Sequence, residues 1–488
     1  MTALGATGAG TGTGTVADGW ETVIGLEVHC ELCTATKLFC GCPNAFGDEP
    51  NTNVCPVCLG LPGSLPVLNE RVVEYAMRLG LALGCSVRPS LFARKNYFYP
   101  DMPKDYQISQ YDRPINVDGG LDLPSGKTAG IERAHVEEDT GKSTHVGGGG
   151  RIHDAAYSLI DYNRAGVPLV EIVGRPDLNS AEEARVYVSE LRSVLLAIGV
   201  SDARMEEGSM RVDANVSVRR PGEPLGTRCE IKNVNSLRSL GRAIDYEARR
   251  QAILVESGGR VVQETRHWNE ADGRTHTLRS KEEAFDYRYF PEPDLVPVEP
   301  GSEWQEEIRA GLPALPAARR GRLAEVANVV PTATAVVMAV VRGLDDLAVT
   351  AIAAGGDAAR VLTHVEHDLA VAGADRLDAG ALATLTRMEI DGALNSTQAK
   401  VVLAELVSAC GDPAAIAAAK GFRARADDAP ASAVDDAIAA DPDAWAKFVG
   451  GDNKAMGSLV GRVMRATSGQ ADGKAVNAAL QRKRVEVS

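Results

Sequence analysis

The chain has 488 residues, of which 44% are hydrophobic, so it is long enough to form roughly two to four globular domains. No apolar run approaches the roughly 18 residues that a membrane-spanning helix needs, which excludes a helical membrane protein. The formal net charge of −14 argues against a nonspecific nucleic-acid coat, but a nucleic-acid enzyme could still carry local basic surfaces. Short basic stretches occur at 249–250, 319–322 and 481–484, and each could equally be a solvated helix face or tail.

The first 19 residues are rich in glycine, threonine and alanine, with no basic segment ahead of an apolar core. This composition is typical of neither a secretory signal nor an Arg-rich transit peptide, and it predicts a disordered tail. We therefore expect a cytoplasmic protein that does not bind membranes.

The next segment, VIGLEVH, predicts a strand that carries polar side chains on one face. Alternation places Glu27 and His29 on the same side of the strand, about 6–7 Å apart along it. Glu171 lies within the apolar run LVEIV, and Glu137 and Glu138 add two more carboxylates. Oxygen ligands with one imidazole suit Mg²⁺ or Mn²⁺, and Mg²⁺ usually accompanies phosphates. The alternative is a set of buried, hydrogen-bonded polar residues or an ordinary ion pair.

Nine cysteines, an odd number, in a long chain that we expect to be cytoplasmic do not indicate a disulfide framework. Four of them form two close pairs that are separated by twelve residues, next to the turn-forming residues Gly41 and Pro43. This spacing predicts a tetrahedral zinc knuckle, and reduced or redox-active thiols are the alternative. The proposed zinc ligands are Cys40, Cys42, Cys55 and Cys58.

Two further polar segments are candidate site linings. Residues 92–111 combine several aromatic residues with Lys95 and Lys104, which suits phosphate ligands between tyrosine walls, although a surface loop would also explain them. In residues 205–216, alternation places Arg211, Asp213 and Asn215 on one strand face, which is therefore exposed or functional. The segment DTGKS at 139–143 has Val136 where a P-loop requires glycine, so we reject a P-loop.

The organisation along the chain changes near residue 300. Short β-rich runs alternate with helical patterns over 20–298, including helices over 69–84 and over 181–199, the latter with Ser180 as N-cap. Four prolines in 291–300 indicate a boundary. The remainder has helical periodicity, with a second break near 421–433. The sequence thus predicts an α+β N-terminal domain followed by two all-α domains.

Taken together, seven segments of the chain resemble one family, the B subunit of the glutamine-dependent aspartyl/glutamyl-tRNA amidotransferase. The resemblance is colinear and covers about 20–485. The segments are VIGLEVH, RKNYFYPDMPKDYQISQYD, AHVEEDTGKS, DYNRAGVPLVEIV, MEEGSMRVDANVSVR, EIKNVNS and DYRYFPEPDL.

This resemblance implies an architecture and a reaction. It implies a catalytic cradle domain over 20–298, a helical domain over 299–420, and a tail domain of the YqeY type over 421–488, the last two holding tRNA. The expected reaction uses ATP to phosphorylate the side-chain carboxylate of Glu or Asp mischarged onto tRNA(Gln) or tRNA(Asn). Ammonia from the partner amidase (glutaminase), the A subunit of such enzymes, then displaces the phosphate, and a small C subunit completes a heterotrimer.

The resemblance also implies roles for individual residues. Glu27, His29, Glu138 and Glu171 resemble the family's Mg²⁺ ligands, with Glu137 as a neighbour. Lys95 resembles the residue that steadies phosphate charge, Asp213 the one that orients substrate or ammonia, and Arg211 is a further candidate. The four clustered cysteines resemble the zinc-bearing form of the family, in which zinc is structural.

The chain departs from the family pattern in its Gly/Thr-rich start and in a Gly-rich insert at 146–156, for which we expect an external loop. The competing hypothesis for function is a noncatalytic zinc-containing scaffold that binds tRNA. Such a scaffold would not need Glu27, His29, Lys95 and Asp213, so these residues favour the enzyme.

Overall fold

The computed structural model describes residues 19–147, 155–280, 287–422, 431–467 and 473–487. The chain divides into two compact units, Met1–Ala317 and Ala318–Ser488. The first unit mixes strands and helices and the second is helical, which confirms the expected fold class. The finer domain division at 298 and 420 stays a prediction. All but the last residue of the expected tail at 1–19, most of the insert at 146–156 and much of the break at 421–433 lie outside the described residues.

The described strands all belong to the first unit, and most of them join one large sheet. In that sheet the order is β13-β12-β11-β10-β1-β9-β6-β4-β3-β14, with β5 paired to β6 and β2, while β7 and β8 form a separate hairpin. All of these pairs are antiparallel except β11 with β12. The strands are β1 (Glu21–Glu31), β2 (Ser86–Val87), β3 (Ala93–Asn96), β4 (Tyr106–Ser109), β5 (Asn116–Asp122), β6 (Thr128–Glu138), β7 (Lys142–Val146), β8 (Tyr157–Asp161), β9 (Pro168–Gly174), β10 (Met210–Arg219), β11 (Cys229–Val234), β12 (Glu264–Asn269), β13 (Arg274–Ser280) and β14 (Phe290–Pro291).

The central strand β1 shows why one face of the sheet is a core and the other can be a site. Its apolar residues Ile24, Leu26 and Val28 alternate with polar ones and are at most 1% exposed. They share a hydrophobic core with residues of three helices, α1 (Glu70–Ala82), α2 (Ala181–Ala197) and α3 (Leu237–Glu256). Burial of these side chains fixes the strand's orientation, so Glu27 and His29 must project from the opposite face.

Helix α2 begins at the predicted residue, and α1 begins one residue later than predicted. Ser180 caps α2, because its side chain accepts a hydrogen bond from the backbone N–H of Glu183 at 3.0 Å. Asn69 caps α1 in the same way through the N–H of Arg71. A further helix, α4 (Ser302–Ala310), contributes Ile308 to the same core.

The second unit contains two separate hydrophobic cores. One gathers buried residues between Leu323 and Ala417, and the other gathers buried residues between Ala433 and Leu480. A 3-10 helix spans Ala374–Arg376. The α-helices are α5 (Pro316–Ala327), α6 (Thr334–Val341), α7 (Asp345–Ala353), α8 (Ala358–His367), α9 (Ala379–Ile390), α10 (Ser396–Ala409), α11 (Pro413–Ala419), α12 (Ala431–Ala440), α13 (Pro442–Val449), α14 (Met456–Ala466) and α15 (Gly473–Val487).

In the described part of the chain, no single helix combines the length and apolar composition that crossing a membrane requires. Only α10 and α11 taken together reach them, and a bend of 114° separates these two helices.

Candidate active site

The polar face of the sheet carries one row of functional side chains across neighbouring strands. In the pairing of β1 with β10, Glu27 lies opposite Asp213. On the other side of β1, His29 lies opposite Glu171 of β9, and Glu171 lies opposite His135 of β6. Directly paired residues point to the same face, so the register brings residues far apart in sequence into one site.

Three of these side chains come close enough to share one ion. One ligand atom each from His29, Glu137 and Glu171 lies within 4.8 Å of the others. The imidazole Nε2 of His29 is 3.7 Å from a carboxylate oxygen of Glu171, and that of His135 is 3.5 Å from the same oxygen. Two carboxylates and an imidazole on rigid strands match the donors that Mg²⁺ and Mn²⁺ accept. The residues present therefore fit a divalent metal.

Glu137 is held as a charged carboxylate although it is buried. Burial alone would raise its pKa, but the hydrogen bond with His135 and the charge of Lys95 bring the pKa below its usual range. Ser109 donates to Glu137 at 2.6 Å, and Gln107 donates at 3.1 Å. A carboxylate that is ionised and fixed in this way is ready to bind a cation.

Glu138, which the sequence placed among the metal ligands, lies outside this three-residue cluster. Its carboxylate forms an ion pair with the buried ammonium of Lys104 and accepts the backbone N–H of Ile108 at 2.9 Å. Successive strand residues face opposite sides of the sheet, so Glu137 and Glu138 cannot both face His29. Of these two neighbouring glutamates, Glu137 is the one that lies in the cluster with His29 and Glu171, and the role of Glu138 as a metal ligand stays a prediction.

Lys95 stands beside several tyrosine rings, two of which, Tyr287 and Tyr289, come from outside the segment 92–111. Its ammonium lies 5.0 Å from the ring centre of Tyr287. Tyr287 contacts Tyr289 edge to face, and Tyr289 stacks on Tyr111 with the ring centres 5.3 Å apart. Lys95 lies opposite Gln107 in the sheet, and Gln107 donates to Glu137. The lysine charge is therefore near the metal cluster, where it could meet a phosphate.

Arg211 forms an ion pair with a carboxylate at the edge of the site. It donates to the buried Asp139, whose carboxylate also lies 3.6 Å from Arg164. Glu31, on the same face of β1 as His29, has a pKa raised to about 8 by burial and by the nearby charge of Asp139. Arg211 thus pairs with the buried Asp139, beside the partly buried Glu31.

The four cysteines come together, as their spacing predicted. Their Sγ atoms all lie within 4.8 Å of one another, and Cys58 is 3.5 Å from both Cys40 and Cys55. A hydrogen bond from Cys40 and the charge of Lys37 lower the pKa of Cys58 to about 4, although burial opposes this shift. Four thiol groups at these separations suit a tetrahedral metal such as zinc, which binds thiolates.

The sequence analysis missed three residues that complete these sites. His135 contacts both metal-site carboxylates, and it alternates with Glu137 in AHVEED, which was the available signal. Lys232 pairs with Asp213 at 2.5 Å, and only the tertiary structure shows this contact. Lys37 is fully buried and donates to the backbone oxygens of Asn53 and Ala165 at 2.7 and 2.8 Å. It therefore links the cysteine knuckle to the loop before β9.

Two family models match this chain. Residues 22–306 match a family model described as the GatB/GatE catalytic domain, and residues 356–483 match one described as the GatB domain. The first match contains all of the strands described above apart from the first residue of β1, so the sheet domain belongs to a class of catalytic domains.

The closely similar curated proteins are B subunits of aspartyl/glutamyl-tRNA(Asn/Gln) amidotransferase. A relative from Frankia casuarinae is 52% identical and covers 94% of this chain and 95% of the relative. Relatives from Nocardia farcinica and Thermobifida fusca are 51% and 50% identical over 93% and 95% of the chain and 94% of each relative. The chain belongs to this family of amidotransferase B subunits.

Proposed function

We propose that this chain is the subunit of an ATP-dependent, tRNA-dependent amidotransferase that converts Glu or Asp on mischarged tRNA to Gln or Asn. The observation that carries the proposal is the cluster of His29, Glu137 and Glu171 on the polar sheet face, with Lys95 and Asp213 nearby. A noncatalytic tRNA-binding scaffold would not require a buried, ionised carboxylate beside two histidines. The enzyme is a ligase that forms a carbon–nitrogen bond.

The reaction needs activation because a carboxylate is a poor acyl donor. An oxygen of the substrate carboxylate attacks the γ-phosphorus of ATP, the bond to the leaving oxygen breaks, and ADP departs. Ammonia then attacks the acyl carbon, phosphate leaves with the bonding electrons, and the new nitrogen loses a proton to give the amide. Both steps depend on positioning and on stabilising negative charge.

We assign residues to these tasks from their positions. His29, Glu137 and Glu171 would hold Mg²⁺, which neutralises phosphate charge when bound, with Glu27 at the edge of the same face. Lys95 would contact phosphate oxygens. Asp213 would orient the substrate or ammonia.

The Cys40, Cys42, Cys55 and Cys58 knuckle would bind structural Zn²⁺. Its location supports this role, because Lys37 ties the knuckle to the sheet domain through backbone contacts.

Partners follow from the chemistry and from the names of the relatives. We propose a heterotrimer with an amidase A subunit, which supplies ammonia from glutamine, and a small C subunit. Mischarged tRNA(Gln) or tRNA(Asn) would bind the helical and tail domains at 299–420 and 421–488, and the complex would work in the cytoplasm.

The basic residues of the second unit differ in their surroundings. Arg319 and Arg322 pair with Asp345, and Arg322 also pairs with Asp346, so the charges of these two arginines are compensated within the second unit. In the last helices, Arg462 pairs with Asp441 and Lys483 with Asp435, whereas the side chains of Arg465 and Arg482 are exposed. Arg484 lies over the ring of Phe448, and the side chain of Lys474 lies outside the described residues. Arg465 and Arg482 are thus the better phosphate contacts.

The test compares neighbouring carboxylates. Glu137→Gln and His29→Ala in the assembled enzyme should lose phosphoryl transfer to mischarged tRNA, with ammonium chloride as nitrogen source. Glutamine hydrolysis by the partner should persist. Both variants should also bind Mn²⁺ more weakly. Glu138→Gln should keep its Mn²⁺ affinity, because the Glu138 carboxylate pairs with Lys104 outside the cluster. Full transfer activity in both Glu137→Gln and His29→Ala would rule out the proposed metal centre.

A further inference from the structure

One half of the polar sheet face is rich in carboxylates and contains a lysine among them. Glu27, Asp213 and Glu230 lie on the adjacent strands β1, β10 and β11. The Lys232 ammonium lies 2.5 Å from an oxygen of Asp213 and 2.8 Å from an oxygen of Glu230. Asn215, next to Asp213 on the same face, donates to Glu27 at 2.9 Å. The lysine therefore links two strands through their acidic residues.

A local irregularity of β11 places this lysine. The pairing of β10 with β11 shifts by one residue between Val212 and Ala214. The additional residue is accommodated at Asn233, which has a φ of 64° and donates its side-chain amide to the backbone oxygen of Trp268 at 3.1 Å. Bulges commonly redirect side chains next to active sites. Here the bulge lies immediately after Lys232, opposite Asp213.

The charges on this face show what the lysine has to balance. Asp213 and Glu230 both contact the Lys232 ammonium, and Glu27 lies opposite Asp213 on the neighbouring strand. Burial would lower the pKa of Lys232, but Asp213 and Glu230 outweigh that effect, and the pKa is raised. The Lys232 side chain is 35% exposed and that of Asp213 is 15% exposed, so solvent screens these interactions incompletely. Without it, Asp213 and Glu230 would lose the ammonium that they share, whereas Glu230 would keep its hydrogen bond from Thr265 at 2.8 Å.

We infer that Lys232 is a positioning residue of the phosphoryl-transfer centre, whose ammonium fixes Asp213 and Glu230 and takes the place of a second cation. This inference rests on the proposed function. Phosphoryl-transfer sites often use two metal ions to hold acidic side chains and phosphate oxygens together. In this chain the cluster of His29, Glu137 and Glu171 would hold one ion, and the lysine supplies the other positive charge. The distances from its nitrogen to both carboxylates are those of direct, charge-assisted hydrogen bonds.

Removal of the lysine charge should therefore create a metal site. In Lys232→Ala, Asp213 and Glu230 lose their shared partner, and their oxygens become available to a divalent cation. Lys232→Arg keeps a positive charge and should not create the site. Lys127→Ala is a matched control, because Lys127 is about as exposed, at 31%, and pairs with Glu183 away from the site.

The experiment counts bound Mn²⁺ by electron paramagnetic resonance in the assembled enzyme. Lys232→Ala should bind one more Mn²⁺ than the unsubstituted enzyme, whereas Lys232→Arg and Lys127→Ala should not. Phosphoryl transfer by Lys232→Ala should fall roughly a hundredfold, as when one preorganised electrostatic contact is removed, and should recover partly at high Mg²⁺.

An unchanged Mn²⁺ count in Lys232→Ala, or an unchanged transfer rate, would overturn the inference. If Lys232→Ala does not fold, an additional Mn²⁺ in Lys232→Arg would overturn it, because the positive charge is retained in that variant. Failure of the proposed function has a different signature, namely Glu137→Gln with the same Mn²⁺ count as the unsubstituted enzyme. The Lys232→Ala experiment compares the Mn²⁺ count of the variant with that of the unsubstituted enzyme. It can therefore be interpreted whether or not Glu137→Gln changes the Mn²⁺ count.

Discussion

Replacement of Lys37 by methionine should loosen the cysteine knuckle while leaving its four thiols intact. Methionine keeps the buried aliphatic stem but removes the ammonium, which donates to the backbone oxygens of Asn53 at 2.7 Å and Ala165 at 2.8 Å. The ammonium also contacts the oxygen of Tyr162 at 3.4 Å and the sulfur of Cys58 at 3.7 Å. Both short bonds join segments distant in sequence, so their loss acts on tertiary structure.

The magnitude follows from these two short bonds. Hydrogen bonds to a charged group contribute about 1.5–3 kcal/mol each, so the gross loss is about 3–6 kcal/mol. Relief from burying the ammonium offsets part of this loss, and we expect the local opening free energy to fall by about 3 kcal/mol. Because 1.4 kcal/mol corresponds to a factor of ten, amide hydrogen exchange of residues 37–60 should accelerate by roughly a hundredfold.

The assay is hydrogen exchange followed by mass spectrometry on peptides from the knuckle and from the loop at 162–166. Lys127→Met is the control, since Lys127 also donates to a backbone oxygen, that of Asp177, but lies away from the knuckle. Acceleration should be confined to the knuckle and this loop in Lys37→Met. Exchange within threefold of the unsubstituted protein in both peptides would refute the reasoning that Lys37 fixes the knuckle.

Three other outcomes are expected. Cys55→Ser should release the bound zinc, as measured by elemental analysis, and should destabilise the sheet domain by several kcal/mol. This is less than the roughly 10–16 kcal/mol that zinc contributes in small zinc fingers. A native, reduced protein that contains no zinc would contradict the assignment. The imidazole of His364 lies 2.6 Å from Glu389 and 2.9 Å from Asp368. Burial raises the pKa of both carboxyl groups. The hydrogen bonds to His364 and to Arg360 (for Glu389) or Lys400 (for Asp368) outweigh burial, so both pKa values are lowered. The contribution of these two carboxylates to the free energy of unfolding is therefore complete above the ordinary carboxyl pKa near 4 and is lost as the pH falls below it. Thermal unfolding of His364→Leu should show a lower midpoint at pH 7 and a shallower decline towards pH 3, and a curve parallel to that of the unsubstituted protein would contradict this. Deletion of 421–488 should raise the Michaelis constant for tRNA with little change in turnover, whereas normal tRNA binding with lost turnover would give the tail another role. In the same domain, the double variant Arg465→Ala with Arg482→Ala should reduce the salt dependence of tRNA binding by about one ion per lost phosphate contact.

The sequence alone determined the local features of this protein, because short-range periodicity and spacing encode them. Alternation in VIGLEVH placed Glu27 and His29 on one face, and the burial of Leu26 and Val28 on the other agrees with this. The N-cap at Ser180 and the change to helices near residue 300 depend on neighbouring residues only, and both are present. The gathering of the four cysteines followed from their spacing.

Only the tertiary structure decided which distant residues meet. Alternation shows that Glu137 and Glu138 face opposite sides, but not which side looks towards His29; the pairing of β6 with β9 selects Glu137. The bulge after Lys232 and the buried contacts of Lys37 have no local signature, because each depends on the register or packing of segments far apart in the chain. The same holds for Arg462 and Lys483, whose acidic partners lie on other helices and become neighbours only when the helices pack.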